Sequence, residues 1–108
     1  MKRNVYFDRP DQVLQPDTIL WLEGDGNYTR IYRQQQPVSL MAYTLKRFEI
    51  RFDNFVRVRR DVLINPQHIQ NVHWNHQPNL TICLTDGTEL TASRRQYKKV
   101  VSRLRQQN

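Results

Sequence analysis

The chain has 108 residues, with 17 Lys and Arg against 10 Asp and Glu and a formal charge of +7. That is the length of one domain, able to bury about 65% of the surface its unfolded form exposes and to fold without disulfides. The single cysteine, Cys83, excludes an internal disulfide and a multi-cysteine zinc site and fits a reducing compartment. No apolar run approaches the roughly 18 residues of a membrane span, and Met1 to Asn4 lead into no apolar signal core, so a cytoplasmic location is expected.

Pro10 and Pro16 punctuate the first sixteen residues, which read as an edge strand or partly ordered arm ahead of a domain over 17–108. The apolar run Ile19-Leu20-Trp21-Leu22 predicts a buried strand, stopped by the turn cluster Gly24-Asp25-Gly26-Asn27. From Tyr28 to Arg33 the pattern alternates: Tyr28, Arg30 and Tyr32 lie on one face, and Thr29, Ile31 and Arg33 on the other. After the polar connection 34–37, residues 38–42 return as a strand, and Thr44 is placed to cap a short helix that turns Leu45, Phe48 and Phe52 inward. Residues 55–59 alternate again, with Val56 and Val58 opposite Phe55, Arg57 and Arg59. Ile69, Val72 and Trp74 predict a strand before a polar turn at Asn75 to Asn79.

Leu80, Ile82 and Leu84 alternate with Thr81, Cys83 and Thr85, and Asp86-Gly87 predicts a hairpin closed by a two-residue type I′ turn. Cys83, on the threonine face and beside no charged activator, reads as an ordinary packed thiol. One amphipathic helix follows, with Ser93 as N-cap, Gln96 completing a capping box and Ala92 against Tyr97 as a staple. Its stripe is Tyr97, Val100, Val101 and Leu104. The fold class is therefore mostly β with two short helices and no repeats or low-complexity tract.

The charge is unevenly placed. Residues 1–54 hold eight basic and seven acidic side chains, whereas residues 55–108 hold nine basic and three acidic ones. The late excess falls in two clusters, Arg57, Arg59, Arg60 and then Arg94, Arg95, Lys98, Lys99, Arg103, Arg105. Seven of these nine cations are Arg, whose planar fork suits phosphate or a guanine edge. A polyanion is the implied partner, although excess cations also keep small domains soluble. Arg94 and Arg95 stand where the first turn of the last helix is expected, a place that favours Asp or Glu. Beside free backbone N–H groups they would form an anion receptor, and the alternative is that both extend into water.

These pieces in this order resemble the LytTR family of bacterial DNA-binding domains. The resemblance covers about residues 17–105 and is carried by residues 19–32 (ILWLEGDGNYTRIY), 44–49 (TLKRFE), 55–65 (FVRVRRDVLIN), Asp86-Gly87 and Ser93-Arg94-Arg95. It implies an elongated arrangement of small β-sheets with about ten strands and a C-terminal amphipathic helix. Loops and strand ends, rather than a recognition helix, would enter successive major grooves. The family's DNA-contacting places fall on Asn27, Tyr28, Thr29 and Arg30, on Arg59 and Arg60, and on Arg94 and Arg95. Arg57, Lys98 and Lys99 join this expected DNA-binding set. Lys98, Lys99 and Arg103 would set register on phosphates, while Arg60, Arg95 and the loop at Asn27 to Arg30 would read base edges.

Where the family usually has His, Arg and Ser, this chain has Arg59, Arg60 and Asp61. Asp61 is placed either to pair with Arg59 or Arg60 or to cap the following turn. Many relatives carry a receiver domain or membrane segments ahead of this part, and with only about sixteen extra residues the simplest expectation is a free-standing transcriptional regulator without a phosphorylation site. Two copies on paired direct repeats are implied by the family.

Other classes leave weaker marks. Tyr28, Tyr32 and Tyr43 beside a basic surface would suit single-stranded nucleic acid or RNA, although half-buried packing on a strand is the commoner fate of such tyrosines. His68, His73, His76 and Cys83 match no metal-ligand spacing, Gly24-Asp25-Gly26 lacks the third glycine and following helix of a nucleotide loop, and Ser39, Ser93 and Ser102 have no paired His and acid. No enzyme activity, cofactor, metal or small-molecule substrate is expected. A membrane-surface role for the last helix conflicts with the core's need for its apolar face.

Overall fold

A computed structural model describes residues 3–74 and 79–106. Among the described residues ten strands form three antiparallel sheets, joined by two α-helices, in a body of 45 × 29 × 24 Å. Strands β1 (Val5–Tyr6) and β2 (Val13–Leu14) make a two-stranded ladder. Strands β3 (Ile19–Asp25), β4 (Tyr28–Arg33), β5 (Ser39–Met41), β6 (Val56–Arg59) and β7 (Val62–Ile64) form a five-stranded sheet in the order β5-β4-β3-β7-β6. Strands β8 (Ile69–Trp74), β9 (Leu80–Leu84) and β10 (Glu89–Thr91) form the third. Helix α1 (Leu45–Arg51) follows β5, and α2 (Tyr97–Gln106) ends the described chain.

The five-stranded sheet is buried on both faces, which explains why its strands carry apolar residues at neighbouring positions. On one side the β1-β2 ladder and α1 supply Val5, Phe7, Leu14, Phe48 and Phe52, packed with Ile31, Phe55 and Leu63. On the other, Val56, Val58, Val62 and Ile64 meet Leu80, Ile82 and Leu84 of the third sheet and Val100 of α2. Leu20 and Trp21 both face this second core while Ile19 and Leu22 face the first. The shift of pairing register between Ile19 and Trp21 permits this, since an inserted residue reverses the alternation. Asn65, fully buried after β7, donates through Nδ2 to the carbonyls of Pro16 (3.1 Å) and Ile19 (2.9 Å) and accepts from Gln67 N–H, so no polar atom of its amide is left unmatched.

Three local expectations are corrected. The β9-β10 hairpin has a three-residue loop: Leu84 N–H donates to Thr88 O, Gly87 N–H to Leu84 O, and only Gly87 has positive φ, at 93°. A type I′ turn needs positive φ at both central residues, so Asp86 rules it out. Helix α2 begins at Tyr97, three residues after the expected start. Ser93 does accept from Gln96 N–H, at 3.2 Å, but it closes a turn that precedes the helix. Arg94 and Arg95 therefore stand in that turn and not in the first turn of the helix, where Lys98 and Lys99 now stand without an acidic residue. Thr44 precedes α1 without a side-chain cap bond; its carbonyl accepts from Arg47 N–H instead. The polar turn expected at Asn75 to Asn79, with His76, lies outside the described residues except for Asn79.

The stretch read as an edge strand or arm is the β1-β2 ladder. Its Val5, Phe7 and Leu14 are buried in the first core. Phe7 stacks against Tyr43 at 4.9 Å between ring centroids and meets Phe48 at 5.0 Å.

Candidate nucleic-acid interface

The site is built on two short turns. Gly26 and Asn27 connect β3 to β4, with Asp25 paired to Tyr28 and positive φ at Gly26 alone, the sign pattern of a II′ hairpin. Arg60 and Asp61 connect β6 to β7, with Arg59 paired to Val62. The two turns are joined: Gly24 N–H donates to Asp61 O at 2.8 Å. Gly24 also lets α1 approach, because a Cβ there would stand 3.0 Å from Leu45 Cβ.

Arg57 braces the second turn from beneath. Its Nη1 donates to Glu49 of α1 at 2.7 Å, its Nε to the carbonyls of Arg59 (3.1 Å) and Arg60 (3.0 Å), and its Nη2 to the Arg60 carbonyl. Arg59 lies 3.8 Å from Asp61, which resolves the role of that carboxylate as a partner of Arg59. Arg60 is exposed and has no acidic partner among the described residues.

Sequence-distant cations converge here. Lys46, Arg57, Arg60, Arg95 and Lys99 line one cleft of about 400 Å³ together with Glu49 and Gln96. A second hollow continues from Lys46, Arg57 and Arg60 to Gly24, Gly26, Thr44 and Asp61. Within the cleft Glu49 is neutralised by Arg57, leaving four positive side chains uncompensated. Such a concave patch focuses field and attracts polyanions. Lys46 was missed in the sequence because the first half of the chain is nearly neutral. The available signal was its position next to inward-facing Leu45, which turns Lys46 outward at the start of α1.

The other expected residues are distributed differently. Asn27 is exposed in its turn. Tyr28, half exposed, lines a separate groove with Val13, Arg33 and Leu40. Thr29 is fully buried and donates to Tyr43 O at 2.8 Å, so its side chain does not reach the surface. Arg30 faces outward between two carboxylates, 3.1 Å from Asp25 and 3.7 Å from Glu23. Arg94 and Lys98 are exposed outside the cleft lining. Arg103 donates to the carbonyls of Asp53 and Phe55, both at 3.0 Å, fastening α2 to the loop before β6.

Of the tyrosines considered for base stacking, Tyr43 is buried and Tyr32 is stacked on Trp21 at 4.1 Å with planes 1° apart. Burial, reinforced by its hydrogen bond to Glu23, pushes the Tyr32 phenol up and keeps it a neutral donor. No group of three or more His, Cys, Asp or Glu able to hold a metal occurs among the described residues. No described helix is long and apolar enough to cross a membrane.

The β-rich scaffold gathers cations on its turns and on the approach to its terminal helix, the fold and charge pattern of a β-built domain with a basic cleft. The model of the LytTr DNA-binding domain matches residues 12–105, and the chain belongs to that family. Its fold is similar to the solved LytTr DNA-binding domain of a Bacillus cereus protein described as a methyl-accepting/DNA response regulator. The TM-score is 0.74 and the identity 19%, over 96% of this chain and 97% of that one. No curated protein matches the chain.

Proposed function

We propose that this domain binds double-stranded DNA sequence-specifically as part of transcription regulation, with the two turns and the approach to α2 entering the major groove. The observation that carries this reading is the meeting of Lys46, Arg60, Arg95 and Lys99 on one cleft beside the β3-β4 turn. Arg60 and Arg95 have forks suited to a base edge, whereas Lys46 and Lys99 act as point charges on phosphates. Asn27, Arg94 and Lys98, exposed nearby in sequence, extend the contact, and Arg59 is held beside Asp61 for the same surface. Paired direct repeats would seat two copies.

Selection of bound duplexes from a random pool tests this reading. Enrichment of a sequence, followed by a fall in log K with log salt at a slope of about −5 for six neutralised phosphates, is the expected result. No enrichment, or a preference for single strands, would overturn it.

A further inference from the structure

We infer that Arg57 is a positioning residue of the DNA interface and not one of its phosphate contacts: its guanidinium holds the Arg60-Asp61 turn against α1. This rests on the DNA-binding reading above and assigns a different role to one of the cations that composition alone groups together.

A guanidinium offers five N–H donors and no acceptor. In Arg57 every nitrogen is engaged: Nη1 with Glu49, Nε with the carbonyls of Arg59 and Arg60, and Nη2 with the carbonyl of Arg60. Its side chain keeps 23% exposure, and its charge is matched by the Glu49 carboxylate at 2.7 Å. A phosphate at Arg57 would compete with the Glu49 carboxylate for the guanidinium, whereas Arg60, three residues further on in the turn, is exposed and has no acidic partner among the described residues.

The same bonds shape what the turn shows to DNA. The carbonyls of Arg59 and Arg60 accept from Arg57, and that of Asp61 accepts from Gly24 N–H. Three successive carbonyls are thereby matched by donors of the domain itself. A turn whose carbonyls are already matched opposes a polyanion less, and it needs little ordering on binding. Because Glu49 belongs to α1, the brace also fixes the distance between this turn and Lys46.

The charge-conserving change Arg57→Lys separates the two roles. Lysine is a good phosphate ligand but a point charge that cannot span a carboxylate and two carbonyls. With the enriched duplex and a random duplex of equal length as probes, a positioning role predicts at least tenfold weaker binding of the enriched duplex by Arg57→Lys. Random-duplex binding should stay within about twofold and the salt slope should be unchanged. Glu49→Gln, which leaves the arginine in place, should lower the ratio of enriched to random affinity in the same direction, and it serves if Arg57→Lys does not fold. Parental binding by both variants overturns the inference. So does a result in which Arg57→Lys is tolerated while Arg57→Gln weakens both duplexes alike and makes the slope shallower by about one. Failure of the underlying reading shows separately, as parental binding of the enriched duplex by Arg60→Ala.

Discussion

Gly24 N–H donates to the carbonyl of Asp61 across 2.8 Å, joining the β3-β4 hairpin to the β6-β7 turn. The bond extends the ladder in which Glu23 pairs with Val62, so the tips of two hairpins are held in one register. It also explains why the residue is glycine: the strand end must lie against the first turn of α1 while its amide reaches a neighbouring turn.

Gly24→Ala and Gly26→Ala should therefore differ in kind. At Gly24 the new methyl meets Leu45 Cβ at 3.0 Å, a contact that forces α1 or β3 to shift. Overpacking of this sort costs about 1–3 kcal/mol, and the shift should also weaken DNA binding. At Gly26 the space is open but φ is +60°, so the cost should be the conformational one of about 1–2 kcal/mol without movement of α1. Urea midpoints and DNA titrations of both variants check the distinction.

Arg95 and Lys99 share one cleft but differ in chemistry. Arg95→Ala should cost about 1–3 kcal/mol on an enriched duplex and relax base preference, since a bidentate contact to a base edge is lost. Lys99→Ala should weaken enriched and random duplexes alike and reduce the salt slope by about one. Lys46→Ala should behave as Lys99→Ala does. Equal effects of Arg95→Ala on both duplexes would contradict the division between reading and positioning.

Thr29 belongs to the segment where contacts were expected, yet its hydroxyl is buried against Tyr43 O. Thr29→Val keeps the shape and leaves that carbonyl without its donor, at a cost of about 1–3 kcal/mol. Thermal unfolding should detect this loss, while base preference and salt slope at a temperature where the variant is folded should match the parent.

Much of this architecture is legible in the residue pattern. Alternation in 28–33 correctly separates buried Thr29 and Ile31 from Arg30 and Tyr32 on the opposite face, where Tyr32 stacks on Trp21, and the α2 stripe is the set that packs on the second core. The start of α2 is less legible, because Ser93 and Gln96 satisfy a capping pattern that a single turn ahead of the helix also satisfies. Arg57 and Arg60 are alike in sequence, and only the tertiary placement of Glu49 distinguishes a braced guanidinium from an exposed one. Lys46 is hidden for a similar reason: its neighbours in the cleft come from the other half of the chain.

Cys83 is buried in β9, and its Sγ is 3.8 Å from Glu89, its cross-strand partner. Burial, followed by the repulsion of that carboxylate, pushes the thiol up from its ordinary 9.0. The unfolded chain then loses this proton at lower pH than the folded one, so the native state binds more protons as pH rises past 9.0. The contribution to stability is intact below that value and declines as pH climbs toward the raised native value. Unfolding midpoints of the parent and Cys83→Ser, compared at pH 7 and above 9, should diverge in that sense, and native-state alkylation at neutral pH should be slow.

Removing residues 1–15 tests whether the opening segment is a dispensable arm. Val5, Phe7 and Leu14 are buried beside Phe48, and the Tyr43 hydroxyl donates to Gln12 and accepts from Asp8 N–H at 3.4 Å. Each fully buried apolar side chain contributes about 1.5–3 kcal/mol, so losing three of them removes roughly 5–9 kcal/mol of burial, comparable with the whole stability of a small domain. The first core would also open over Phe48 and the inner face of α1, which carries Lys46 and Glu49 into the interface. The truncated chain should thus be largely unfolded at 25 °C, with exposed apolar surface detected by dye binding. Triple substitution of Val5, Phe7 and Leu14 by Ala in the full chain should reproduce the loss, whereas changing exposed Arg9 and Asp11 should not. A truncated chain that melts like the parent would mean that the ladder only rests on the domain.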